Sequence, residues 1–215
     1  MAFEKDTLLL MTGDSITDCG RARPLGEGNG GRLGDGYVLY TDALLTVQRP
    51  DDNVRVVNTG VSGDTTRNLL ERWDTDVLAY KPDYVSIMIG VNDVWRIFDC
   101  PKNKAIHVPL EEYEQNLRAL LKMTLPVVKG VFLLSPFFLE LNKQDALRKL
   151  LDEYGAAMKR VAEEFRVPFV DVQAAFDEHL SHFPHSAHMA WDRVHPNHVG
   201  HLLIAQTFLS AALKA

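Results

Sequence analysis

The sequence predicts an α/β protein, a three-layer α/β/α sandwich built on a five-stranded parallel sheet. Three observations predict it. Short, near-continuous apolar runs recur along the chain, as expected of strands covered on both faces. Between them lie longer segments with apolar residues three and four apart, the spacing of a helix with one buried face. Glycines and small polar residues then follow the apolar runs, at the strand ends where open parallel sheets bind their ligands.

Leu8-Leu9-Leu10-Met11 is the first strand, and it breaks at Gly13-Asp14-Ser15. The segment "RPLGEGNGGRLGDGY" (Arg23 to Tyr37) holds six of the fourteen glycines and is read as a flexible surface loop near the site entrance. It contains no GxxxxGK[ST], and no GxGxxG joins a strand directly to a helix, so it is not read as a phosphate loop. Tyr37, Tyr40, Ala43, Leu44 and Val47 mark a helix, and Val54 to Asn58 the second strand. "VNTGVSGDTTRN" follows, with Gly60 and Gly63. Tyr84 to Ile89 is the third strand, ending in "GVNDVW" with Asn92 and Asp93. Leu117, Leu120, Leu121 and Met123 mark a helix closed by Pro126, and Val131 to Leu134 the fourth strand. A long helix carries Leu147, Leu150, Leu151, Tyr154, Met158, Val161 and Phe165. Phe169-Val170 is a short fifth strand, and Leu202, Ile204, Ala205, Phe208 and Leu209 lie on a closing helix. Strand–helix alternation implies right-handed crossovers. With no repeat, Pro-rich linker or low-complexity tract, residues 1–215 read as one domain.

The net charge of −6 argues against an electrostatic grip on nucleic acid or on an anionic membrane. Cys19 and Cys100 are too few for a disulfide framework and read as free thiols in a reducing compartment. The N-terminal stretch lacks a basic n-region and a cleavage site, and its apolar run of Thr7 to Met11 is too short for a signal core or a membrane span. A cytoplasmic location is expected, and homo-oligomerisation stays open.

The chemistry rests on four segments. Ser15 stands where the first strand ends, and near the C-terminus "AWDRVHPNHVGH" places Asp192 three residues before His195. A carboxylate at that distance accepts the imidazole Nδ1–H, which leaves Nε2 as a base. Pro196 restricts His195 to extended backbone and stiffens its placement. A serine hydroxyl needs such a base, and the tetrahedral intermediate needs donors for its negative oxygen. Asp14 and Asp93 are read as either site-orienting or helix-capping. Seven of the eight histidines fall between His179 and His201, yet there is no HExxH and no cysteine nearby for a structural zinc site. They are read as surface or helix-terminal residues.

Gly13-Asp14-Ser15, Gly63, Gly90-x-Asn92-Asp93 and Asp192-x-x-His195, in that order, resemble the SGNH (GDSL-type) serine hydrolases. The resemblance implies a flavodoxin-like sandwich with Ser15 as nucleophile, His195 as base and Asp192 as its orienting acid. It implies oxyanion donors from the backbone N–H of Ser15, the backbone N–H of Gly63 and the amide of Asn92, with no metal or organic cofactor. "GDSITDCGRARP", "DYVSIMIGVNDVWR" and "AWDRVHP" are closest to the intracellular bacterial acetylxylan esterases, which implies acetylated xylo-oligosaccharides as substrate. Asp14, Trp95 and Trp191 are the candidate substrate contacts; each tryptophan reads equally well as a core or subunit contact. Two other readings stay open: a thioesterase or lysophospholipase for longer acyl chains, and a carbohydrate-binding protein without turnover.

Overall fold

The computed structural model describes residues 3–183 and 185–214. Five parallel strands form one sheet: β1 (Leu8–Gly13), β2 (Arg55–Asn58), β3 (Tyr84–Met88), β4 (Gly130–Leu134) and β5 (Phe169–Val170). Their order is β2-β1-β3-β4-β5, the flavodoxin-like arrangement. Leu10 stands opposite Val57 on one side and Val85 on the other, so the strand predicted first is an interior one. All five residues of β3 and of β4 are buried, which is why these strands read as unbroken apolar runs.

Nine α-helices follow the chain among the described residues: α1 (Ser15–Asp18), α2 (Tyr37–Gln48), α3 (Thr66–Glu71), α4 (Trp73–Asp76), α5 (Val91–Asp99), α6 (Leu110–Thr124), α7 (Ala146–Phe165), α8 (Val172–His182) and α9 (His198–Ala212). Contacts of α9 with α2 and α8 form one outer layer, and those joining α3, α5, α6 and α7 form the other. The predicted helices correspond to α2, α6, α7 and α9. Neither α5 nor α8 was predicted.

The glycine-rich segment is an exposed surface loop only in its middle, Gly28 to Arg32; its two flanks are packed. A Cβ on Gly34 would lie 2.6 Å from the Asp18 carbonyl, and one on Gly36 would lie 2.6 Å from the Cys19 sulfur. Gly26 pairs with Asn58 across an antiparallel bridge. The C-terminal flank of the segment is therefore packed against α1 and the residue after it. Asn58, fully buried, holds three pieces together: its amide donates to the carbonyls of Thr17 (2.6 Å) and Leu33 (2.8 Å), and its Oδ1 accepts from Gly60 N–H (2.9 Å).

Candidate active site

The strand order reverses between β1 and β3, and the crevice at their C-terminal ends is where this fold binds ligands. Gly13 closes β1 there. A Cβ at that position would lie 2.1 Å from the Met88 carbonyl oxygen, so only glycine lets the chain turn this close to β3. Asp14 then caps α1, accepting the Ile16 N–H at 3.0 Å, and sets Ser15 in the first turn. Burial pushes the Asp14 carboxyl up to about 7 despite that bond, with Asp93 and Asp64 adding to the rise.

Ser15 Oγ lies 2.8 Å from His195 Nε2, across 180 residues of chain. His195 Nδ1 lies 2.6 Å from Asp192 Oδ2. The other Asp192 oxygen accepts the backbone N–H of His195 (2.8 Å) and of Val194 (3.0 Å). This tight carboxylate-centred turn makes the pair rigid. Partial burial raises the Asp192 carboxyl, but the bonds from the His195 ring and the two backbone donors outweigh it and hold the group below its ordinary range. Asp192 is thus an ionised acceptor, which fixes the proton on Nδ1 and leaves Nε2 facing the serine.

Gly63 and Asn92 follow β2 and β3, at the same C-terminal end of the parallel sheet as the serine. Gly63 has φ +89° and open space at its absent Cβ, so its N–H is presented by a left-handed backbone that favours glycine. The Asn92 amide donates one hydrogen to the Asp64 carbonyl (3.0 Å), and its Oδ1 accepts from Arg96 (3.3 Å). These partners fix which end of the amide is nitrogen, and its second hydrogen remains for an incoming oxygen. The next residue grips the same loop: Asp93 accepts the Thr66 N–H (3.1 Å) and the Thr66 hydroxyl (2.6 Å). Burial raises Asp93 to about 6, offset in part by those bonds. Asn116 on α6 donates to Thr66 Oγ1 (3.0 Å), which turns the threonine proton toward Asp93. Arg72 completes the frame, donating to Asp64 Oδ2 (2.6 Å), Thr59 O (2.7 Å) and Gly13 O (3.1 Å).

Behind the serine sits His201, in the first turn of α9 as a helix-terminal reading expects, but only 5% exposed and so not a surface residue. Its Nδ1 accepts the Tyr37 N–H at 3.2 Å, so the neutral ring carries its proton on Nε2, 3.4 Å from Cys19 Sγ. Burial lowers this group to about 4, helped by nearby His195. Below the unfolded value near 6.5 the denatured chain binds a proton that the folded ring refuses, so stability falls as pH drops from about 6.5 to about 4. Asp14 and Asp93, raised instead, act in the opposite direction over the range from about 4 to about 7. Comparison with His201→Gln isolates the imidazole. The stability advantage of the wild type should shrink by at most about 3 kcal/mol between pH 7 and pH 4 in urea titrations.

The predicted site residues sort cleanly. Ser15, Gly63, Asn92, Asp192 and His195 stand at the same end of the sheet. Trp95 joins them, its ring centroid 5.8 Å from that of His195. Trp191 is 87% exposed, which removes the core reading for it. Asp14 is corrected: only 1% exposed and turned to the α1 N-terminus, it does not face a substrate. Ser62 is engaged by Asp18 through both its N–H (3.0 Å) and its hydroxyl (2.9 Å), as befits a loop-shaping serine. Both cysteines are free. Among the described residues no group of three or more His, Cys, Asp or Glu side chains is arranged to hold a metal ion, and no helix is long and apolar enough to cross a membrane. Thr66, Arg72, Arg96, Asn116 and His201 were not anticipated; the Thr65-x-x-Asn68 capping box was the one local signal near them.

A serine, an imidazole and a carboxylate in one hydrogen-bonded line, at the switch point of a parallel sheet, define a serine hydrolase. The chain belongs to the GDSL-like lipase/acylhydrolase family, which matches residues 11–203. It is 55% identical over 201 residues to an acetylxylan esterase of Geobacillus stearothermophilus, covering 94% of this chain and 91% of that one. A crystal structure of an acetylxylan esterase from the same organism superposes with a TM-score of 0.96 at 52% identity, over 99% of this chain and 96% of that chain. Solved structures of that enzyme include catalytic mutants in which a serine, a histidine or an aspartate is replaced by alanine. An alpha/beta hydrolase from the metagenome of Lake Arreo, Spain, superposes with a TM-score of 0.95 at 48% identity, over 98% of this chain and 96% of that chain.

Proposed function

We propose that this protein is a single-domain serine esterase that removes acetyl groups from acetylated xylo-oligosaccharides through an acyl-enzyme. The observation that carries the reading is the unbroken Ser15–His195–Asp192 line beside Gly63 and Asn92. The substrate class follows the acetylxylan esterase to which the chain is similar along almost its whole length.

Ser15 Oγ attacks the ester carbonyl while His195 Nε2 takes its proton. The carbonyl oxygen becomes an oxyanion and is met by the N–H groups of Ser15 and Gly63 and by the Asn92 amide. His195 then returns the proton to the sugar hydroxyl as the C–O bond breaks, leaving acetyl-Ser15. A water, deprotonated by the same imidazole, attacks the acyl-enzyme, and its collapse releases acetate and restores the serine. Asp192 holds the ring in register and stabilises the imidazolium in both halves. No metal or organic cofactor enters these steps. We place the enzyme in the cytoplasm, acting on a soluble sugar rather than on nucleic acid or membrane. We assign Trp95 to the substrate side of the site; the exposed ring of Trp191 would serve a sugar or a second copy of the chain in a homo-oligomer.

Acetate release from acetylated xylo-oligosaccharides, set against 4-nitrophenyl acetate and octanoate, tests the reading. Fast release from the sugars with acetate esters preferred supports it. Preference for octanoate would assign the enzyme to long-chain acyl hydrolysis instead.

The Asn116–Thr66–Asp93 chain fixes the loop that carries Gly63 against the helix that carries Asn92. Thr66→Val keeps the backbone N–H and removes the hydroxyl. It is expected to lower kcat about tenfold with KM within about twofold, because donors aimed at the oxyanion act only in the transition state. Thr66→Ser restores the rate. Steady-state kinetics of the two variants check it.

A further inference from the structure

Beside Gly63 opens a cleft of about 250 Å³, bounded by Thr65, Asn68, Glu71, Arg96 and Ile106. It shares Gly63 with the oxyanion site, and its Arg96 touches Asn92 Oδ1. The cleft therefore adjoins the site at Gly63 and Asn92. A larger hollow, about 310 Å³, lies between α7 and α8 but shares no lining residue with the catalytic line, and its Arg148 is already held by Asp152 and Asp177.

The polar groups of the cleft select its occupant. Arg96 is paired with Asp99, and Arg67 at the edge grips both oxygens of Glu112, so their charges are largely neutralised. Asn68 Oδ1 accepts from Thr65, which leaves its amide hydrogens as donors. Glu71 is exposed and has no hydrogen-bond or ion-pair partner among the described residues, so its carboxylate is an acceptor. Ala105 and Ile106 supply a small apolar wall. An acyl chain here would desolvate the amide and guanidinium edges without replacing their hydrogen bonds. An anion would meet Glu71 and find both guanidinium groups engaged. A neutral ring bearing hydroxyls as both donors and acceptors, with C–H faces for Ile106, satisfies the whole set.

We infer that this cleft binds the neutral pyranose unit adjoining the acetylated one, so that it is a subsite for oligosaccharides and not an acyl groove. The inference rests on the esterase reading above and adds the direction in which the sugar chain runs.

Two exposed positions outside the catalytic machinery test it: Glu71→Ala removes the acceptor, and Ala105→Phe fills the cleft. KM and kcat are measured with acetylated xylotriose and with 4-nitrophenyl acetate, which is too small to reach the cleft. Expected are a rise of about fivefold in KM for the trisaccharide in Glu71→Ala, as for one lost hydrogen bond, and a larger rise in Ala105→Phe. The kcat values and both constants for 4-nitrophenyl acetate stay at wild-type level. Wild-type trisaccharide kinetics in both variants would overturn the subsite and leave the esterase reading standing. Loss of octanoate rather than trisaccharide hydrolysis in Ala105→Phe would make the cleft an acyl groove. Failure of the wild type to release acetate from any sugar would remove the sugar-deacetylation reading on which the subsite depends.

Discussion

Ser15→Ala is expected to lower kcat for acetyl esters by at least about 10⁴-fold while the protein folds as before. The hydroxyl is the only atom lost, and it is half-exposed with His195 as its partner. Removing one such bond costs about 1 kcal/mol of stability, a shift of a few degrees in Tm. What remains, the oxyanion donors and the bound substrate, cannot supply a nucleophile. Steady-state rates together with thermal melts check both halves. A large loss of Tm would assign Ser15 to the architecture of the α1 turn, and retained turnover would assign the attack to another group.

Asp192→Asn is the second large effect, expected to reduce kcat by about 10²–10⁴-fold with KM nearly unchanged. Two consequences follow from one atom. The amide nitrogen cannot accept from His195 Nδ1, so the ring is driven toward the tautomer that puts its proton on Nε2, facing Ser15. The negative charge that stabilises the imidazolium is lost as well. The backbone bonds from Val194 and His195 to Oδ1 survive in the amide, which keeps the turn intact. Asp192→Ala removes those bonds too and should add a stability loss that Asp192→Asn lacks. Chemical denaturation of both variants, alongside their kinetics, separates the catalytic effect from the structural one.

The strands were legible because parallel strands buried on both faces must be apolar without alternation; β5, only two residues long, was still found from Phe169-Val170. The long helices were legible from their buried stripes. The helix α8 carried the same signal in Val172, Phe176 and Leu180, spaced by four and all buried, and it went unread. The helix α5 was hidden for a different reason. Its N-cap is Gly90, which makes no side-chain cap bond, so the usual capping signal is absent at its start. Within the site, the residues to which we assign the chemistry were visible as motifs at strand ends, since that chemistry dictates their types. The residues that hold them were not. Asp93 finds Thr66 across 27 residues, Arg72 reaches Gly13 across 59, and His201 meets Tyr37 across 164. Such pairings depend on which helices face each other, and a local pattern carries no trace of them. The burial of Asp14 was similarly invisible, because a cap and a substrate contact call for the same residue type at the same place.

The most direct test of the catalytic line is covalent capture. The protein is treated with a serine-directed phosphonate ester at neutral pH, and the adduct is located by peptide mass mapping. The geometry predicts one adduct per chain, on Ser15, formed quickly in the wild type and far more slowly in His195→Ala. An adduct on Ser62 or elsewhere, or equal labelling of Ser15 with and without the imidazole, would contradict it.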